Sequence, residues 1–346
     1  MFNILYYTIL IACSLASAYI FSKKQPKVKR SALQLFFRRM NYAVLLLITL
    51  LLWSYQIALW TIPKGASLHE TLRIPHYGSK LSSVDLSEMI EETYPFGKDR
   101  RQYLMYFEPE NGQITQDRVV YFIHGGSWKM GSPELYRPAA KFFVQRGYAV
   151  IITAYRLAPQ YNYLDMREDL NQSMKKVLTI LKSKQLDRKK ILLAGDSAGA
   201  NLAALLLYDR KNLAKIGLEQ SKFDCFISFA GPLNLNVLTT SQELTDFAGT
   251  PQDSTFQQAN PYQYIQQNEK IPVLCFHGTK DGYVNYDCSK TFVQKLNMVQ
   301  SNLAQLVTLD NETHINIIGD WIYDTDSEIH LFLNNWLDDI EKKIKN

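Results

Sequence analysis

The 346-residue sequence predicts an α/β domain, a mostly parallel central sheet with helices on both faces, preceded by an N-terminal hairpin of two transmembrane spans. Three observations predict it. Two long segments near the start carry no charge. Beyond about residue 100, short β-rich apolar runs alternate with longer amphipathic ones. Several of those runs are apolar without strict alternation, as strands covered on both faces are. The composition suits this reading: 47% apolar, 12% aromatic and 21% charged residues supply both core and surface, which excludes disorder of the whole chain.

The membrane hairpin occupies residues 1–62. Ile4 to Phe21 and Asn41 to Ile62 are uncharged, and about 20 residues of helix cross a hydrocarbon core of roughly 30 Å. The expected spans are therefore about 4–21 and 41–62, with Trp53, Tyr55 and Trp60 toward the end of the second, where amphipathic rings favour the interface. The intervening loop, 22–40, holds seven basic residues and no acid. By the positive-inside rule it stays cytoplasmic, which puts the large domain that follows on the extracytoplasmic or lumenal side. Ala16, Ser17 and Ala18 would also suit a cleaved signal peptide, but the basic start of one is missing and a second span follows.

The charge divides the same way. The formal net charge is +5, yet residues 1–70 hold eight basic side chains against Glu70 alone, +7, which leaves −2 for the remainder. A domain at −2 has no generic attraction for a phosphate backbone, so nucleic acid is excluded as a partner. Cys13, Cys225, Cys275 and Cys288 are too scattered for a disulfide framework or a zinc site.

Residues 63–100 read as a stalk and lead-in, punctuated by Pro63, Gly65, Pro75, Gly78, Pro95 and Gly97, with one short helix over Val84–Glu92. The domain proper, 101–346, offers strands at Gln102–Phe107, Arg118–Ile123, Ala149–Ala154, Lys190–Ala194, Cys225–Phe229, Pro272–Phe276 and Leu306–Leu309. Helices are expected at Leu135–Arg146, Met166–Lys182, Ala198–Tyr208, Cys288–Val299 and Glu328–Lys343. The polar stretch 233–270 separates two strands by more than an ordinary loop and reads as an inserted cap over a site or as a passive surface excursion.

The chemistry concentrates where strands end. In ILLAGDSAGANLAALLL, residues 191–207, an apolar strand runs into Gly195-Asp196-Ser197-Ala198-Gly199 and a helix-forming run follows at once. Only residues without bulk two positions before and after the serine let the chain turn that tightly. The corner projects Ser197 at a helix N-terminus, whose dipole favours developing negative charge. Upstream, VVYFIHGGSWKMGS, residues 119–132, is another strand ending in glycines. A reacting carbonyl that becomes an oxyanion needs backbone N–H groups aimed at one point. Gly125, Gly126 and Ala198 are the candidate donors.

A serine nucleophile needs a base and the base an orienting carboxylate, in the chain order serine, acid, histidine. His314, just after the last strand, is the expected base; His277 lies inside a strand as a structural histidine, and His330 in the final helix reads as a surface residue. Asp281 follows a strand by a tight Gly278-Thr279-Lys280 turn and is the expected acid, since Asp310 and Glu312 lie too near His314 in sequence to reach the side of its ring. There is no HExxH, calcium-loop spacing, GxGxxG or P-loop, so neither metal nor cofactor is expected.

These residues resemble the α/β-hydrolase superfamily, and more narrowly its hormone-sensitive-lipase, arylacetamide-deacetylase and carboxylesterase branch. The motifs that carry the resemblance are HGGSW at 124–128, WKMGS at 128–132, YRLAP at 155–159, GDSAGANLA beginning at Gly195 and HGTKD at 277–281, spread over roughly residues 100–320. Two positions depart from the pattern: Ser127 replaces the third glycine of HGGG, and His314-Ile315-Asn316 replaces His-Gly-Phe. The family's N-terminal cap helices would fall where this chain has its stalk and spans.

Taken with the two expected spans, the resemblance implies a membrane-anchored serine hydrolase that cleaves a small-molecule or lipid-like carboxylic ester through an acyl-enzyme. Alternatives are a deacetylase or acyltransferase acting on an extracytoplasmic glycan or lipid, and an inert membrane-tethered binding module. Asn171-Gln-Ser173 and Asn311-Glu-Thr313 match the glycosylation pattern, and a glycan on the second would crowd His314.

Overall fold

Eight strands form one sheet in the order β1-β2-β4-β3-β5-β6-β7-β8. They are β1 (Met89–Pro95), β2 (Tyr103–Pro109), β3 (Arg118–Ile123), β4 (Ala149–Thr153), β5 (Lys190–Asp196), β6 (Phe223–Phe229), β7 (Val273–Gly278) and β8 (Ala304–Leu309). The β1–β2 and β2–β4 pairs are antiparallel, and every pair from β4 to β8 is parallel. The computed structural model describes residues 2–22, 32–81 and 85–345. The chain divides into two compact units, Met1–Ser83 and Val84–Asn346.

The central strands were legible because both their faces are covered. In β3 every residue is buried: Val119, Tyr121 and Ile123 enter one apolar cluster, while Val120 and Phe122 enter another on the opposite face. A residue pattern that must satisfy two cores shows no alternation of apolar and polar.

The helices, in chain order, are α1 (Phe2–Ser22), α2 (Ala32–Thr61), α3 (Ser67–Leu81), α4 (Arg137–Gln145), α5 (Tyr163–Ser183), α6 (Ser197–Tyr208), α7 (Arg210–Lys215), α8 (Gln242–Ala248), α9 (Ser254–Gln258), α10 (Asp287–Val299), α11 (His314–Tyr323) and α12 (Glu328–Lys345). Side chains of α5, α6 and α10 build the first cluster, and those of α4, α11 and α12 the second. Within 233–270, Leu244 and Phe247 of α8 and Phe256 of α9 are buried in the same cluster as α6.

The structure corrects two expectations before the sheet begins. The helix expected over Val84–Glu92 is instead an edge strand from Met89, paired along its whole length with β2. Four of its seven residues are exposed and three half-buried, and Met-Ile-Glu-Glu-Thr-Tyr-Pro lacks the apolar–polar alternation that announces a half-buried strand, so tertiary pairing decides its form. Within the expected stalk, residues 67–81 are helical.

In the first unit α1 and α2 lie against each other. Trp53 Nε1 donates to Ser14 Oγ at 3.0 Å, and the Ser17 and Thr49 hydroxyls are 3.3 Å apart. Among the described residues one stretch, Phe36–Thr61, is long and apolar enough to cross a bilayer; the apolar part of α1, Tyr7–Ile20, is shorter. Because α2 begins at Ala32, it takes in Arg38 and Arg39, which the sequence reading assigns to the basic loop. Residues 23–31 of that loop lie outside the described residues.

Candidate active site

The turn from β5 to α6 is built to project one hydroxyl from the end of the sheet. Asp196 is the last extended residue, and Ser197 adopts φ 47°, a left-handed conformation that costs a non-glycine residue about 1–3 kcal/mol. Close packing holds it there. A Cβ on Gly199 would stand 2.0 Å from the Ile123 carbonyl oxygen and 2.5 Å from that of His124, so only glycine lets α6 start against the end of β3.

His314 is the first residue of α11, and the Thr313 side chain caps that helix by accepting from the Asn316 amide. The Ser197 hydroxyl lies 2.9 Å from His314 Nε2, and His314 Nδ1 lies 2.6 Å from Asp281 Oδ2. Ser197 and His314 are 7% and 3% exposed, a sheltered pair in which a proton transfer is screened from bulk water. The side chains of Ser197, His314 and Asp281 therefore form one hydrogen-bonded line, with the Tyr283 ring edge-on to the imidazole at 5.5 Å. Glu312 is turned elsewhere and accepts from Asn316 Nδ2 at 2.6 Å.

Asp281 is better held than a lone acid would be. Its Oδ1 accepts the backbone N–H groups of Tyr283 at 2.9 Å and Val284 at 2.7 Å. Its Oδ2 faces His314 and also His277 Nε2, at 3.3 Å. That nitrogen lies 3.0 Å from the Val284 carbonyl, which can only accept, so Nε2 carries a proton, while Nδ1 lies 2.7 Å from the Ser289 hydroxyl. Burial opposes the negative charge on Asp281, but the two histidines outweigh it and hold the carboxyl well below the usual carboxylate range. His277 thus sits directly on the acid. The sequence shows the four-residue spacing but not that the loop folds back over the strand.

The HGGSW loop runs through left-handed backbone at Gly126, Ser127 and Trp128, with φ of 116°, 52° and 58°. The Gly126 carbonyl accepts from Lys129 and Met130 N–H at 3.0 and 2.9 Å, which closes the turn. Trp128 stacks on Phe247 of α8, 4.1 Å between centroids and 7° between planes, and the neighbouring Lys129 pairs with Asp246 at 2.7 Å. Thus α8 packs directly against this loop.

Behind the loop, Arg101 Nη2 reaches His124 Nε2 at 3.2 Å and the Gly131 carbonyl at 2.8 Å. Arginine only donates, so Nε2 is the bare nitrogen and Nδ1–H donates to the Gly125 carbonyl at 2.8 Å. Burial depresses the His124 pKa to about 3, which keeps the ring neutral.

The three candidate oxyanion donors are not equivalent. The Gly125 N–H donates to the Tyr136 hydroxyl at 3.1 Å, and that hydroxyl donates to Asp196 Oδ2 at 2.8 Å. An amide has one proton, and this one is spent inside the protein. Of the three expected donors, Gly125 is thus the one whose amide already has a partner within the protein. Ala198 stands in the first turn of α6, where an amide has no intrahelical acceptor.

Two further readings change with burial. His330 is buried rather than on the surface, its Nε2 2.6 Å from the Trp321 carbonyl, because α12 packs its inner face on α11. Asn171 of the first glycosylation pattern is also buried, its amide exchanging hydrogen bonds with Asn212 at 3.1 and 2.7 Å, so it offers no acceptor for a glycan.

Residues 105–296 match the BD-FAE family. Among curated proteins, isoprenylcysteine alpha-carbonyl methylesterase of Arabidopsis thaliana is 26% identical over 266 residues, covering 71% of this chain and 61% of that protein. Arylacetamide deacetylase of Rattus norvegicus is 36% identical over 101 residues, 28% of this chain and 25% of that protein. The chain thus spans less than two thirds of the length of these relatives. Among solved structures, esterase B of Lactobacillus rhamnosis superposes with a TM-score of 0.64 at 18% identity, covering 84% of this chain and 97% of that one. A truncated carbohydrate esterase from gut microbiota gives 0.63 at 14% identity, covering 75% and 99%. At such identities the structural likeness establishes the fold.

Proposed function

The chain belongs to the BD-FAE family, within the esterase branch of the α/β-hydrolases, and from that premise we propose that it is a membrane-anchored serine hydrolase of carboxylic esters. The observation that carries the reading is the line Ser197–His314–Asp281, 2.9 and 2.6 Å, at the start of α6. Relatives named as a methylesterase and a deacetylase support an ester as the substrate class.

Ser197 Oγ attacks the ester carbonyl as His314 Nε2 takes its proton, and Asp281 holds the Nδ1–H and balances the imidazolium. The new oxyanion is met by the Gly126 and Ala198 amides and by the positive end of α6. Collapse expels the alcohol, protonated by His314, and leaves an acyl-Ser197. Water, deprotonated by the same imidazole, then releases the acid. A fluorophosphonate probe is expected to modify Ser197 stoichiometrically in the wild type and to leave Ser197→Ala unmodified, as read by mass spectrometry. Undiminished modification of that variant would sink the assignment.

The anchor in this reading is α2, with α1 crossing beside it. Both present large apolar side chains outward, Ile11 and Leu15 at 57% and 65% exposed, Leu50 and Leu51 at 58% and 59%, a display suited to lipid rather than water. Hydroxyl and indole contacts such as Ser14–Trp53 tie the two helices where the hydrophobic effect no longer drives association. With the basic loop inside, a membrane-impermeant maleimide applied to intact cells is expected to label a Lys64→Cys chain and to spare Lys27→Cys. The opposite pattern would reverse the topology, and labelling of both would remove the hairpin.

A further inference from the structure

Asp196, beside the nucleophile, takes no part in the mechanism above. It is fully buried, one of its oxygens, Oδ1, has no protein partner, and burial pushes its carboxyl up to about 7 against the opposing pull of Tyr136, His314 and the Gly125 amide. Such a group is expensive to keep as mere filling. Its other oxygen is closely fitted: a Cβ on Gly125 would lie 2.6 Å from Oδ2, so the carboxylate rests on the backbone of the HGG loop.

The hydrogen bonds run in one direction. Tyr136 Oη–H points at Asp196 Oδ2, and this leaves an oxygen lone pair facing the Gly125 N–H. The Gly125 carbonyl is held in turn by His124 Nδ1–H at 2.8 Å. In a trans peptide the N–H points opposite to the C=O. Tethering the Gly125 carbonyl toward His124 therefore sends the Gly126 N–H the other way.

We propose that Tyr136 and Asp196 are a positioning pair that locks the oxyanion loop to the nucleophile elbow: Asp196 orients the Tyr136 hydroxyl, the hydroxyl fixes Gly125, and Gly125 aims the Gly126 amide. The pair touches no reacting atom. Its role is to hold a donor whose displacement by a single ångström can cost on the order of 100-fold in rate. The inference rests on the serine-hydrolase reading of the same site.

The test uses the full chain carrying Tyr136→Phe, Asp196→Asn or Asp196→Leu, with kcat and KM on p-nitrophenyl butyrate, the rate of fluorophosphonate modification, and the melting temperature. Tyr136→Phe and Asp196→Leu are expected to lower kcat by about 10–100-fold with KM within about threefold, a loss smaller than deleting an oxyanion donor outright. Modification of Ser197 should slow in parallel yet still reach completion. Asp196→Asn keeps an acceptor for the tyrosine proton and stays within about fivefold of wild type, well below the cost of a lost donor.

Unchanged kcat in Tyr136→Phe, a loss carried by KM, or Asp196→Asn as poor as Asp196→Leu would each overturn the pair. If Asp196→Leu does not fold, the comparison of Tyr136→Phe with wild type decides alone. A wild type that the probe never modifies refutes the hydrolase reading itself, whereas equal modification rates in wild type and Tyr136→Phe refute only the positioning pair.

Discussion

Ser197→Ala is expected to lower kcat on a short p-nitrophenyl ester by on the order of 10⁶-fold, and His314→Ala by about as much, because each removes the same step. The 2.9 Å contact makes serine and imidazole one device: without the base the hydroxyl is a poor nucleophile, and without the hydroxyl the base has no proton to take. The double variant should therefore be no slower than either single one. In the proposed mechanism, what survives in all three is rate due to the Gly126 and Ala198 amides and to substrate binding, expected on the order of 10³-fold over the uncatalysed reaction. Multiplying losses in the double variant, or more than about 1% of wild-type turnover in Ser197→Ala against that expectation, would show that the chemistry runs elsewhere. KM should move little, since neither side chain is a main source of ground-state binding.

The parts of this site that could be read from sequence are those whose physical demand is local. Ser197 announces itself because a strand-to-helix corner needs small residues at fixed offsets, and Gly199, against the Ile123 and His124 carbonyls, shows how little room there is. Asp281 and His314 follow from their places after β7 and β8, at the carboxyl edge of a parallel sheet. The direction of the Gly125 amide could not be read, because Tyr136 and Asp196 decide it from other elements.

Long-range packing hides the rest in the same way. His277 reads as a strand histidine until the turn after β7 brings Asp281 back against it. His330 reads as surface until α12 lies on α11. In the fold, strands covered on both faces stand out from composition, whereas β1, at the sheet edge with four of its seven residues exposed, carries no such pattern.

Asp281→Asn is expected to lower kcat by about 10⁴-fold while leaving the fold intact, and the surroundings of the acid dictate why. The Tyr283 and Val284 amides both donate to Oδ1, so the oxygen of an asparagine must take that position and its NH₂ must occupy the place of Oδ2. There it donates to His314 Nδ1 and forces the ring proton onto Nε2. Ser197 then faces a donor instead of a base. Stability changes with pH in a defined direction. The folded-state pKa of Asp281 is depressed, so its stabilisation is complete above the unfolded-state value of about 4 and is lost as pH falls toward the lower folded-state value. Asparagine cannot titrate. The melting-temperature advantage of wild type over Asp281→Asn should therefore be full above about pH 5 and shrink toward pH 3. A gap that is constant with pH, or that widens in acid, would mean that the carboxylate is not held by His314 and His277 as its geometry requires. A variant retaining near-normal kcat would remove Asp281 from the catalytic line altogether.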